Sequence, residues 1–353
     1  MSHRPQLDGL RFFAFLAVFI YHTKESRLPW GWAGVQFFFA LSGFLITRIL
    51  IRGESGVLSA DLRRFYLRRT LRIFPLYYAI IAWLALTQPL DHKLWLVTYT
   101  YNIRGYLDHY LSNMLGHFWT LCVEEQFYLL YPLALLFTPA RRRFALLIVL
   151  IAGSKAFQTY AHLNLFMPSA RILLPYCGED LLWGCLAGLV DLHSAPGRRL
   201  GKPCLIAGAA ILILAWNLHK PQTTGSVGGQ ELLSVSLFGI GSALTVLGAW
   251  RTTDRWLIGP LSWTPIAYLG RISYGLYAIH FPALNGHWID QIPYGFMIPR
   301  PYGDLALTIG LAAASWRFFE APINRLKDRI ASAPALETTK STNPQSPKQP
   351  AFR

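Results

Sequence analysis

The chain has 353 residues, 53% of them hydrophobic and only 14% charged, with a formal net charge of +15. A soluble domain carries about a quarter charged residues, so a soluble globular fold is excluded, and apolar stretches of bilayer-crossing length recur along the sequence. In a soluble protein such a basic balance would suit nucleic acid; here the basic residues are placed by membrane topology, and no nucleic-acid partner is expected.

The predicted fold is all-α, a polytopic bundle of about ten spans. In chain order they fall at residues 10–23, 30–50, 73–87, 118–138, 143–160, 173–191, 203–218, 231–250, 272–288 and 303–319. With the N-terminus inside, the inside segments collect Arg52, Arg63, Arg64, Arg68, Arg69 and Arg72, then Arg141, Arg142 and Arg143. Arg198, Arg199, Lys202, Arg251, Arg255, Arg325, Lys327 and Arg329 follow on the same side. The outside segments hold only scattered basics such as Lys93, Arg104, Lys220 and Arg300. This asymmetry places both termini in the cytoplasm.

The first span reads RFFAFLAVFIYH, with Arg11 at its start and His22 near its end. Eleven residues of helix advance about 16.5 Å and return the two ends to within roughly 20° of one face. Arginine suits a phosphate, and histidine can take and return a proton near neutral pH. A ligand phosphorylated at one end and reactive some distance away fits that pair, as a coenzyme A thioester would.

Entering the third span, LRRFYLRRTLRIFP sets Arg69 and Arg72 three residues apart on one helical face, beside Arg68. That is an anion clamp or plain inside anchoring. Residues 94–103 (LWLVTYTYNI) are apolar but too short to cross, and are expected as an interfacial or re-entrant piece.

The fourth span, HFWTLCVEEQFYLLYP, carries Glu124 and Glu125, and adjacent carboxylates point about 100° apart on a helix. Charges inside a bilayer are expensive and mark function by default. One glutamate is expected to face the bundle interior, where a carboxylate can orient and charge a catalytic histidine; a structural ion pair is the alternative.

Cys122, Cys177, Cys185 and Cys204 show no metal-ligand or disulfide spacing and are read as packing residues; no metal site is expected. Neither a cleavable signal peptide nor an internal repeat is evident. Two units are expected, a membrane domain over residues 1–330 and a disordered cytoplasmic tail over residues 331–353, rich in Pro, Ser, Thr and Lys.

Six stretches in order, over residues 7–325, resemble the acyltransferase-3 family of integral-membrane O-acyltransferases. They are LDGLRFFAFLAVFIYH, GWAGVQFFFALSGFLITRIL, RRTLRIFPLYY, HFWTLCVEEQFYLLYP, LGRISYGLYAIHFP and WRFFEAPINR. The resemblance implies transfer of an acyl group, commonly acetyl, from cytoplasmic acyl-CoA to a hydroxyl of a surface glycan or lipid-linked saccharide. It implies a multi-pass protein of the cell inner (cytoplasmic) membrane, with acyl-CoA as donor substrate and no bound cofactor. The family's essential histidine falls on His22, its first-span arginine on Arg11, its arginine pair on Arg69 and Arg72, and its glutamate motif on Glu124 and Glu125. Some relatives carry an extracytoplasmic esterase-like domain at the C-terminus; none is seen here, and direct delivery to the acceptor is expected.

Smaller expectations attach to other matching residues. Ser42 and Gly43 would let the second span approach the first closely. His280 is a candidate acceptor-site residue, and Glu320 is read as an ion pair with Arg317 or Arg325. The expected mechanism has Arg11, Arg69 and Arg72 holding the CoA phosphates, His22 as general base, and Glu124 stabilising its imidazolium. An acyl-histidine intermediate fits as well. The rival function is a transporter or flippase for a glycan or anionic metabolite, which intramembrane Arg, His and Glu would also serve.

Overall fold

The computed structural model describes residues 3–23, 30–111, 114–164, 168–194, 200–219, 229–292 and 298–325. The expected tail over residues 331–353 lies outside them, as do Arg198, Arg199, Lys220, Lys327 and Arg329.

Every described regular element is helical. The order is α1 Pro5–His22, α2 Ala33–Gly53, α3 Leu58–Thr87, α4 Lys93–Val97 and α5 Tyr101–Asp108, then α6 Trp119–Phe137, α7 Arg143–Leu163 and α8 Leu174–His193. They are followed by α9 Gly201–Leu218, α10 Gly229–Arg251, α11 Arg255–Ser262, α12 Thr264–Arg271, α13 Ser273–Asn285 and α14 Arg300–Ser315. A π-helical turn over Trp316–Glu320 ends α14.

Five helices, in the regions of α2, α3, α7, α9 and α10, are long and apolar enough to cross a membrane, which makes this a multi-pass membrane protein. The other predicted spans differ for a visible reason. The fourth and sixth carry carboxylates (Glu124 and Glu125; Glu179 and Asp180) within α6 and α8, and α1 starts ahead of the first predicted span and takes in Asp8. The ninth, over 272–288, is occupied by α13, which is only 13 residues long, and the tenth changes to π geometry after Ser315. These polar or broken elements supply most of the site described below.

Two predicted boundaries move. The basic stretch ahead of the third span is continuous with it, so α3 runs for 30 residues with Pro75 inside. Residues 94–103 form two short helices hinged at Tyr99, whose φ is +55°. They pack on the core: Tyr77 donates to the Leu96 carbonyl at 2.7 Å, and Gln126 of α6 donates to the Tyr99 carbonyl at 2.8 Å.

Helix packing depends on small residues, as expected where lipid removes the hydrophobic drive between helices. Gly43 of α2 lies directly against the Leu181 carbonyl of α8, and Gly184 of α8 against Ala40 of α2. A Cβ at either position would collide with backbone. This corrects the expectation for Gly43: it brings α2 onto α8, while α2 meets α1 through Gly34, and Gly31 meets α1 just ahead of α2. At one end of this pair, the fully buried Arg48 of α2 pairs with Asp191 of α8. Arg251 of α10 donates to the same carboxylate at 2.6 Å, and Arg48 lies over the Trp250 ring at 4.3 Å. By contrast, α9, apolar over residues 203–216, buries only Gly201, Gly208 and Ala215 and leaves Ile206, Ile213 and Leu214 exposed, as suits a helix that faces lipid.

Candidate active site

Arg11, Arg69 and Arg72, predicted from separate helices, converge on one cavity of about 100 Å³ together with Ser42 and Glu124. Four of the five are held by a neighbour. Arg11 donates to Asp8 at 2.8 Å, one helical turn away on α1. The Arg69 guanidinium carbon lies over the Tyr128 ring, 3.6 Å from its centroid. Ser42 of α2 donates to Glu124 Oε1 of α6 at 2.7 Å.

A second and larger cavity, about 590 Å³, contains His22 and His117 with Trp32, Trp119 and Arg171 on its walls. Val35, Phe39 and Tyr277 border both cavities. Arg11 and His22, on one face of α1, therefore open into different chambers on either side of this partition.

The histidines are ordered by a chain of hydrogen bonds. His280 Nδ1 lies 2.6 Å from the Tyr277 carbonyl, which can only accept, so this nitrogen carries the proton. In the neutral ring its Nε2 is then an acceptor, and it faces His22 Nδ1 at 3.0 Å. His22 must donate from Nδ1, which leaves its Nε2 with the lone pair. A general base requires that tautomer.

His117, overlooked in the sequence, belongs to the same cluster. Its ring centroid is 5.0 Å from that of His280, and Nε2 donates to the Ala278 carbonyl at 3.2 Å. That carbonyl is free because Pro282, four residues on, has no N–H to offer it. His117 Nδ1 is buried with no hydrogen-bond partner. The signal was present in AIHFP, where a proline one turn after Ala278 releases a carbonyl deep in a span.

Glu124, expected beside the catalytic imidazole, stands instead with Ser42 and the arginines, and among the described residues no hydrogen bond joins it to His22. Glu125 has one buried oxygen, Oε1, without a hydrogen-bond partner. His280 touches His22 directly. Glu320 accepts from Ser315 at 3.0 Å and forms no ion pair with Arg317 or Arg325, correcting the expectation for it. Among the described residues, no group of three or more His, Cys, Asp or Glu side chains is arranged to hold a metal ion.

The chain is 29% identical over 361 residues to the O-acetyltransferase OatA of Staphylococcus aureus, covering 91% of this chain and 57% of that protein. It is 29% identical over 356 residues to the peptidoglycan O-acetyltransferase OatA of Listeria monocytogenes, covering 91% and 56%. With the putative peptidoglycan O-acetyltransferase YrhL of Bacillus subtilis it shares 29% over 361 residues, covering 90% and 54%. The chain thus spans a little over half the length of these relatives. No solved structure matches it. A family model described as an acyltransferase domain matches residues 4–318, and the chain belongs to that family, acyltransferase-3.

Proposed function

We propose that the protein is an O-acyltransferase of the inner membrane, moving an acetyl group from cytoplasmic acetyl-CoA to a hydroxyl of a cell-envelope saccharide. The names of the relatives support the acetyl group and, for two of them, a peptidoglycan acceptor. In this reading all ten predicted segments cross the membrane and both termini are cytoplasmic, as the distribution of arginines favours.

The observation that carries the reading is the position of His22, with Nδ1 tied to His280, across a thin partition from three arginines. Arg11, Arg69 and Arg72 take the phosphates of the donor, and its pantetheine arm passes Val35, Phe39 and Tyr277. His22 Nε2 removes the proton of the acceptor hydroxyl as that oxygen attacks the thioester carbonyl; the thiolate of CoA leaves and is protonated. The imidazolium formed at His22 is held by the lone pair of His280 Nε2. Glu124 serves the donor side, its carboxylate fixed by Ser42 in the cavity that the arginines line.

The test uses the full chain in lipid nanodiscs, with labelled acetyl-CoA and an isolated envelope glycan as acceptor. His22→Ala is expected to lower transfer by about 10²–10⁴-fold without loss of CoA binding, the range for a lost general base. Near-normal transfer by this variant refutes the assignment.

A further inference from the structure

His22 also borders a third cavity, which the mechanism above leaves unused. It has a volume of about 210 Å³ and is lined by His22, Thr23, Asn285, His287, Arg300 and Asp304, where the ends of α1 and α13 meet the first turn of α14. One imidazole therefore forms part of the wall of two separate chambers.

The small chamber is polar and only partly satisfied. Asp304 is 1% exposed, yet its Oδ1 has no hydrogen-bond partner. Its Oδ2 stands 3.8 Å from Arg300 Nε, too long for a hydrogen bond, and that Nε is also unpartnered. Arg300 is anchored elsewhere, by a 2.9 Å hydrogen bond from its terminal nitrogen to the Leu284 carbonyl. Buried polar atoms without partners are costly and rare. Asp304 and Arg300 both line this chamber, and each keeps one occluded polar atom without a partner, an acceptor on one and a donor on the other, which a ligand offering both would satisfy once the side chains turn toward it.

Charge narrows the class. Arg300 lies between two carboxylates, Asp304 and Asp290, the latter at 3.7 Å, so a phosphate or carboxylate ligand would meet repulsion as well as attraction. A neutral polyhydroxyl compound meets none. The volume falls below the usual 300–1,000 Å³ of a complete small-molecule site, as suits one ring of a larger ligand.

We propose that this chamber is a saccharide subsite for the unit next to the one being acylated, so that the acceptor is an oligosaccharide or longer chain lying across His22. The inference rests on the saccharide acceptor proposed above.

The test compares two neutral probes in nanodiscs with acetyl-CoA as donor: N-acetylglucosamine and its β-1,4-linked tetramer. Wild type is expected to favour the tetramer in kcat/KM by at least about tenfold, the worth of one well-formed hydrogen bond to a charged group. Asp304→Asn and, without touching any charge, Asn285→Ala should each bring that ratio down towards one, chiefly through the KM of the tetramer. A wild type without preference overturns the subsite, and so does a ratio that both variants leave intact, including loss of rate in equal measure on both sugars. Transfer to neither probe, with acetyl-CoA still bound, overturns the saccharide reading and the subsite with it.

Discussion

His22 on α1 and His280 on α13 face each other through Nδ1 and Nε2 at 3.0 Å, with their rings stacked 5.2 Å apart at an angle of 22°. Since His280 is itself fixed by the Tyr277 carbonyl, a backbone atom ultimately decides which nitrogen of His22 is basic. His280→Ala is accordingly expected to lower kcat by roughly 10²–10⁴-fold while the Kd for acetyl-CoA stays within about twofold, as when the orienting partner of a catalytic histidine is removed. His280→Gln, which can still accept from Nδ1–H, should recover part of the loss. Single-turnover rates at saturating donor provide the check; equal rates for wild type and His280→Ala exclude the relay.

Arg69 contributes shape as well as charge. Its guanidinium carbon sits over Tyr128, 3.6 Å from the ring centroid, and lysine keeps the charge but neither the plane nor the fork. Arg69→Lys is expected to weaken CoA binding by about tenfold, and Arg69→Ala by up to a hundredfold, the worth of a charge-assisted phosphate contact. Calorimetric titration with CoA measures both, and full affinity in Arg69→Lys would make charge alone sufficient.

Ser42 and Glu124 act as a pair across α2 and α6, joined by a 2.7 Å hydrogen bond. Ser42→Ala and Glu124→Gln should therefore be non-additive. A double-mutant cycle on donor affinity is expected to give a coupling of about 0.5–3 kcal/mol, with the fall in kcat no greater than the fall in affinity explains. A large kcat defect at normal donor affinity in Glu124→Gln would return Glu124 to the side of His22.

Asp191 neutralises two arginines from different helices, the fully buried Arg48 and Arg251. Removing its charge leaves buried cations uncompensated, which typically costs about 3–5 kcal/mol. Asp191→Asn should therefore lower the thermal midpoint of the purified protein sharply, and replacing all three charges together, Arg48→Met, Arg251→Leu and Asp191→Leu, should restore much of it, because a buried ion cluster replaced by apolar groups is often neutral. A midpoint unchanged in Asp191→Asn would assign the stability of this end to apolar packing.

The class of this protein was legible in the sequence because it depends on local quantities. Runs of apolar residues match a bilayer by length, which marks α2, α3, α7, α9 and α10 without reference to any other part of the chain. The helical period places Arg11 and His22 on one face, and the cost of intramembrane charge singled out Glu124 and the arginines. Which side chains meet was decided only in three dimensions. Periodicity gives a face and a depth, but not the helix standing opposite. The partner of His22 is 258 residues away, on a helix whose start at Ser273 follows the break at Ile272. Glu124 had the right depth for His22, but its face of α6 meets Ser42, on an α2 drawn hard against α8 where Gly43 touches the Leu181 backbone. Such contacts depend on how closely backbones approach, a property of two helices together that neither sequence segment carries alone.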